Sequence, residues 1–263
     1  MITGVSTASL YPMETEKALR RLAENNVRNM EIFINTDCEL RDPYASEMLD
    51  IIRTYGLNIV SVHPYSCAIE PMMLFTAYER RVNDILGYYR RFFEFMNKVG
   101  AKYFILHGNK RGNPFPEEKS FERFARLQTA ANEFGVSVLQ ENVARCTAGS
   151  LDSMLRMREQ IGDLAMYVLD TKQAVRAGES PVEIAEKLGD SIKHIHYSEC
   201  GEKFDCVAYG EGKPLAKELF SALKSSGFNG AVMIELYAES FSGGAEFLAE
   251  NCKKLSDDVI SRL

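Results

Sequence analysis

The stretch GVSVLQENVARCTAGSLDSMLRMREQIGDLAMYVLD (135–170) decides the fold. It holds two short apolar, β-branched runs, VSVLQEN (136–142) and AMYVLD (165–170), with a helical pattern at about 150–161 between them. Run, helix and run is the repeating unit of a parallel sheet. Both runs end in a carboxylate, Glu141 and Asp170. An ordinary strand end has no reason to prefer Asp, Glu or His. A metal site built from strand ends does, because carboxylate oxygen and imidazole nitrogen are ligands for divalent ions.

The same alternation continues in both directions. Strand-like runs lie at 2–7, 29–34, 57–63, 101–107, 136–142, 165–170, 192–198 and 231–237. Helical patterns lie between and after them, at about 14–26, 44–55, 78–99, 116–134, 150–161, 181–189, 214–226 and 241–260. Asn26, Gly56, Gly100, Gly135, Gly162, Gly189 and Gly227 fall near helix ends, where left-handed cap residues are favoured. Ser180 suits an N-cap, and Pro181 and Pro214 suit first turns. Eight units predict closure into a (β/α)8 TIM barrel. A length of 263 residues matches that fold, so the reading is one domain over 1–263.

Composition sets the outer bounds. The apolar fraction is 46% and the charged fraction 26%, as in an ordinary globular protein. A net charge of −6 argues against nucleic acid as a partner. None of the six cysteines forms a CxxC pair, which disfavours a zinc ribbon and suits free thiols in a reducing cytoplasm. The opening MITGVSTASLYPMETEK has neither a basic segment nor a long apolar one, so neither a signal peptide nor a membrane span is expected.

In a barrel of this kind the site forms at the C-terminal ends of the strands. His63, His107, Glu141, Asp170, His196 and Glu235 fall there, from six successive runs. Glu141, Asp170, His196 and Glu235 form the sharpest set, an oxygen-rich site that suits Mn²⁺, Mg²⁺, Co²⁺ or Zn²⁺. His63 and His107 have three readings: a second ion shared with Glu141, neutral hydrogen bonding to substrate, or structural support. His194 points the same way as His196 from one pleat deeper, which suits a group behind the ligands. Glu31 is a candidate for substrate hydroxyls or for an ion pair inside the barrel. Lys172 and Gln173 follow Asp170 and are candidates for substrate contact, although a lysine is more often solvated. YGEGKPL (209–215) is a weak anion signal at a helix start.

These motifs resemble the xylose isomerase-like TIM barrel superfamily. It includes sugar and sugar-phosphate isomerases and epimerases, and the metal-dependent apurinic/apyrimidinic endonucleases. The resemblance covers nearly the whole chain. It is carried by MEIF (30–33), SVHPY (61–65), LHG (106–108), LQEN (139–142), LDTKQAVRAG (169–178), HIHYSE (194–199), YGEG (209–212) and MIEL (233–236). Likeness to the ketose 3-epimerase-like members implies one ion held by Glu141, Asp170, His196 and Glu235. Likeness to the endonucleases implies a further site at His63, His107 and Glu141. The third endonuclease site has no counterpart: Gln173 replaces its histidine, and FDCVAYGEG (204–212) contains none. The arginine that epimerases carry after the seventh strand is also missing from CGEKF (200–204).

The expected activity is that of a metal-dependent isomerase or epimerase. It would work through an enediolate of a small sugar or polyol, with Glu141 and Glu235 as acid and base. One divalent ion is expected, or two if His63 and His107 are ligands. The alternatives are a two-metal phosphodiesterase, a dehydratase using the same enediolate, and a barrel that binds metal without turnover. Self-association into a homo-oligomer is a further expectation.

Overall fold

A computed structural model describes residues 1–258. Eight strands are observed: β1 (Ile2–Ser6), β2 (Asn29–Ile34), β3 (Asn58–Pro64), β4 (Tyr103–Leu106), β5 (Ser137–Glu141), β6 (Tyr167–Asp170), β7 (Ile192–Tyr197) and β8 (Ala231–Ile234). They pair in parallel in sequence order, and β1 pairs with β8 to close the barrel. The helices are α1 (Thr15–Glu24), α2 (Tyr44–Tyr55), α3 (Glu70–Met73), α4 (Glu79–Val99), α5 (Glu117–Asn132), α6 (Leu151–Ile161), α7 (Thr171–Ala177), α8 (Pro181–Leu188), α9 (Ala216–Ser225) and α10 (Gly244–Asp258). The chain is therefore a (β/α)8 TIM barrel, as expected.

The helices form because one stripe of each is apolar. In α4, Val82, Ile85, Tyr89, Phe92, Phe93 and Met96 recur at helical spacing and are buried. Phe104 of β4 meets them edge-on, with ring centroids 5.1, 5.7 and 5.4 Å from Tyr89, Phe92 and Phe93. The expected cap residues Asn26, Gly56, Gly100, Gly135, Gly162, Gly189 and Gly227 all have positive φ. Ser180 caps α8 by accepting from Glu183 N, with Pro181 opening the helix. Pro214 lies outside its expected first turn, because α9 begins at Ala216.

Two helices go beyond the sequence pattern. The short α3 lies in the loop after β3. The other, α7, starts directly after β6 because the Asp170 side chain accepts Gln173 N at 2.9 Å and so caps it. The helix expected at 241–260 is observed to Asp258; its last two positions lie outside the described residues.

The barrel interior has two sides. Ile105, Leu139 and Val168, with Tyr103 and Met166, make an apolar plug under β4, β5 and β6. Across from it Ser6, Glu31, Ser61 and His194 are all fully buried, so the β1–β3 and β7 side is polar. That polar side lies beneath the ends of the strands and supports what sits above it. Among the described residues, no helix is long and apolar enough to cross a membrane.

Candidate metal centre

The last inward-facing positions of the strands converge. One donor atom from each of Glu141, Asp170, His196 and Glu235 lies within 4.8 Å of the others. His196 Nδ1 faces Glu141 Oε1 at 3.3 Å, Glu235 Oε2 at 3.6 Å and Asp170 Oδ2 at 3.8 Å. Parallel register explains much of this: Asp170 and His196 are direct neighbours across β6 and β7. Glu235 follows the last residue of β8, and its backbone N–H donates to Tyr197 O.

Asp170 is held on every side. Asn142 takes over from the β5–β6 ladder with its side chain, accepting Asp170 N at 2.6 Å and donating to Asp170 O at 3.0 Å. Burial raises the Asp170 carboxyl to about 6, with Glu141 and Glu235 adding to the shift and Lys172 opposing it. Burial works the same way on Glu141, but the imidazoles of His107, His196 and His63 outweigh it and hold that carboxyl well below its ordinary range.

Beneath His196 lies Glu31, with no exposed surface. Its Oε1 accepts from Ser6 at 2.9 Å, and its Oε2 from Ser61 at 2.7 Å. His194 Nε2 and His196 Nε2 each lie 3.1 Å from that same Oε2. Glu31 therefore touches His196 from behind, on the side away from the three carboxylates that face its Nδ1. Glu31, His194 and His196 also lie close enough to hold an ion. Hydrogen bonds already engage both oxygens of Glu31, which leaves that group as a support for His196.

A second cluster joins the first through Glu141. His107 Nε2 lies 3.1 Å, and His63 Nε2 3.7 Å, from Glu141 Oε2. The two Nε2 atoms are 3.0 Å apart. His63 Nδ1–H donates to Pro64 O at 3.1 Å, so its Nε2 carries the lone pair when the ring is neutral. His107 is different. Its Nδ1 faces the Arg145 guanidinium at 3.5 Å, which places the proton of a neutral ring on Nε2, toward Glu141.

Lys172 is not solvated. It is 4% exposed, and its ammonium contacts both Asp170 Oδ2 and Glu235 Oε2. Gln173 accepts Ala144 N at 3.0 Å and so steadies the loop after β5. The glycine loop at 209–212 is occupied internally: Gly210 N and Gly212 N both donate to Glu199 Oε2 at 3.0 Å. Of the aromatic residues on the loops, Tyr237 packs against Lys172 and Arg176, Tyr65 bonds Tyr88 at 2.6 Å, and Phe204 is exposed.

Several neighbours escaped the sequence reading. Glu70 of α3 is fully buried beside the second cluster and accepts Gly108 N at 2.7 Å. Burial raises its carboxyl, with the His107 charge opposing. Ser6, Ser61, Asn142 and Arg145 carry no signal in sequence, because their partners are 25 or more positions away.

The residues fit a divalent ion. Glu141 Oε2 is buried and takes no hydrogen bond of sound geometry, although two imidazole nitrogens face it. Three carboxylates converge on one imidazole nitrogen. Such crowding of buried negative charge suits a divalent cation, since the single Lys172 ammonium reaches only Asp170 and Glu235. His196 backed by a carboxylate is the usual arrangement of a ligating histidine.

A parallel barrel with carboxylates and histidines gathered at the C-terminal ends of its strands defines a TIM barrel protein with its candidate site at the usual face. The chain belongs to the xylose isomerase-like TIM barrel family, whose model matches residues 19–256. An inosose dehydratase of Lacticaseibacillus casei is 22% identical over 205 residues, covering 64% of this chain and 68% of that one. Among solved structures, D-psicose 3-epimerase from Clostridium cellulolyticum H10 aligns at a TM-score of 0.80 and 15% identity, covering 99% of both chains. The IOLI protein, crystallised with a zinc atom, aligns at a TM-score of 0.81 and 20% identity over 100% of this chain and 99% of that one.

Proposed function

We propose that the protein is a metal-dependent isomerase or epimerase of a small sugar or related hydroxy-carbonyl compound. The convergence of Glu141, Asp170, His196 and Glu235 on one point carries this reading. These four residues would hold one divalent ion. When bound, such an ion supplies Lewis-acid polarisation of a carbonyl oxygen.

The chain's own groups divide the remaining work. Asp170 and His196 are the more tightly held and serve to position. Glu141 is held ionised by the imidazoles around it, and its Oε2 takes no hydrogen bond of sound geometry, so it can receive a proton. Glu235 is the most exposed of the four, at 14% of its side chain, and so the most open to an incoming substrate. One of these glutamates removes the proton beside the carbonyl, and one returns it. Return to the opposite face inverts that carbon, whereas return to the neighbouring carbon isomerises. Glu31 and His194 stand behind His196, and His63 and His107 are available to substrate oxygens. The inosose dehydratase relative favours a second reading, in which the same proton abstraction is followed by loss of water from the next carbon.

A two-ion phosphodiesterase is less well supported, because Arg145 directs the His107 proton to the nitrogen that a second ion would need. The test combines elemental analysis with proton exchange. About one ion per chain is expected, with deuterium from solvent entering a ketose or inosose substrate. Glu141→Gln should abolish that exchange and leave the circular dichroism spectrum unchanged. Exchange at the wild-type rate in that variant would refute the assignment.

A further inference from the structure

The Lys172 ammonium contacts Asp170 Oδ2 and Glu235 Oε2. These are the same oxygens that face His196 Nδ1, at 3.8 and 3.6 Å. They are therefore the oxygens that a bound divalent ion would use. A cation of the chain itself already stands on two of its four ligands.

We propose that Lys172 is a built-in counter-ion that competes with the divalent ion for Asp170 and Glu235, and so sets the metal affinity of the site. The inference rests on the metal reading above. Without an ion, the carboxylates of Glu141, Asp170 and Glu235 repel one another in a buried space, and the ammonium offsets part of that repulsion. With an ion present, the two cations would share oxygens within a few ångström, and the singly charged one leaves. The lysine is tethered for this exchange. It lies in the first turn of α7, whose N-cap is Asp170 itself. An outer station is available, since the Tyr237 ring lies 5.7 Å from the ammonium and is 38% exposed. Arg176 already sits over that ring at 5.3 Å, but Asp205 pairs with its guanidinium and offsets its charge.

The first test compares wild type, Lys172→Met and Lys172→Arg, each stripped with chelator and titrated with Mn²⁺ by calorimetry. Lys172→Met should bind Mn²⁺ roughly tenfold tighter or more, as expected when a like charge within a few ångström is removed. Lys172→Arg should bind close to wild type. Metal-free Lys172→Met should melt below metal-free wild type, and the order should reverse in Mn²⁺. Unchanged or weaker Mn²⁺ binding by Lys172→Met would overturn the proposal.

A second measurement needs no variant, should metal-free Lys172→Met not fold. Wild type is acylated with an amine reagent with and without Mn²⁺, and Lys172 modification is read by peptide mass spectrometry. Labelling should rise several-fold with Mn²⁺ as the buried amine is displaced; constant or reduced labelling in protein that binds Mn²⁺ would overturn the displacement. If wild type binds neither Mn²⁺ nor Zn²⁺, the metal reading itself fails, and the calorimetry alone identifies that failure.

Discussion

Glu31 offers the sharpest test of how the barrel interior supports the centre. Three donors converge on its Oε2, from Ser61, His194 and His196, while Ser6 serves Oε1. Glu31→Gln can keep this geometry. The carboxamide oxygen takes the Oε2 position, and the amide turns to the Ser6 hydroxyl, whose oxygen can accept. What disappears is the negative charge that steadies His196 and makes it a better donor. The expected loss of metal affinity is about 10–100-fold, or ~1.4–2.7 kcal/mol, as for other carboxylates behind ligating histidines. The cost in folding free energy should be about 1 kcal/mol for each hydrogen bond that passes from a charged to a neutral acceptor. Glu31→Ala leaves a void and unpaired imidazoles, at a cost of roughly 3–5 kcal/mol. Calorimetric Mn²⁺ titration and urea unfolding of both variants separate the two effects. An unchanged Mn²⁺ affinity in folded Glu31→Gln would refute the argument that Glu31 acts through His196.

Other expectations can be checked with ordinary assays. Asn142→Ala strips Asp170 of partners for both its backbone N–H and its carbonyl, at roughly 1–3 kcal/mol each, and urea unfolding should show a total of about 2–6 kcal/mol. Phe104→Ala removes the ring on which Tyr89, Phe92 and Phe93 pack, and the same measurement should show a loss of roughly 3–5 kcal/mol. Burial raises the Glu39 carboxyl, opposed by hydrogen bonds from Asn35 N and the Thr15 hydroxyl. With the folded value above the unfolded one, the associated stability is full below about 4.5 and is lost as pH rises through the folded value. Glu39→Gln removes that titration, so melting temperatures should show its advantage over wild type growing from acid toward neutral pH.

The strand ends were legible because two independent rules agree there. Apolar runs closed by His, Asp or Glu mark the strand ends, and the barrel places the C-terminal ends of its strands at the site. Both rules select Glu141, Asp170 and His196. His107 and Glu235 follow the ends of β4 and β8 by one residue and continue the same inward phase. Neither rule names a partner across the barrel. Glu31 lies on β2, while the histidines it touches lie on β7, and these strands are not neighbours in the sheet. Residues from non-adjacent strands meet only in the interior, so pairing along the sheet carries no trace of the contact. Glu31 therefore reads in sequence as inward and polar, which fits a substrate ligand as well as a support. Lys172 reads in sequence as a candidate for substrate contact rather than as a partner of the carboxylates, for a related reason. General statistics place lysine outside, but α7 begins immediately at Asp170, and helical side chains lean toward the N-terminus. The first turn thus folds the Lys172 stem back over its own N-cap, into the carboxylates. A strand end that doubles as a helix cap brings the residue two positions on into the centre, and the relevant signal is a helix starting with no intervening loop.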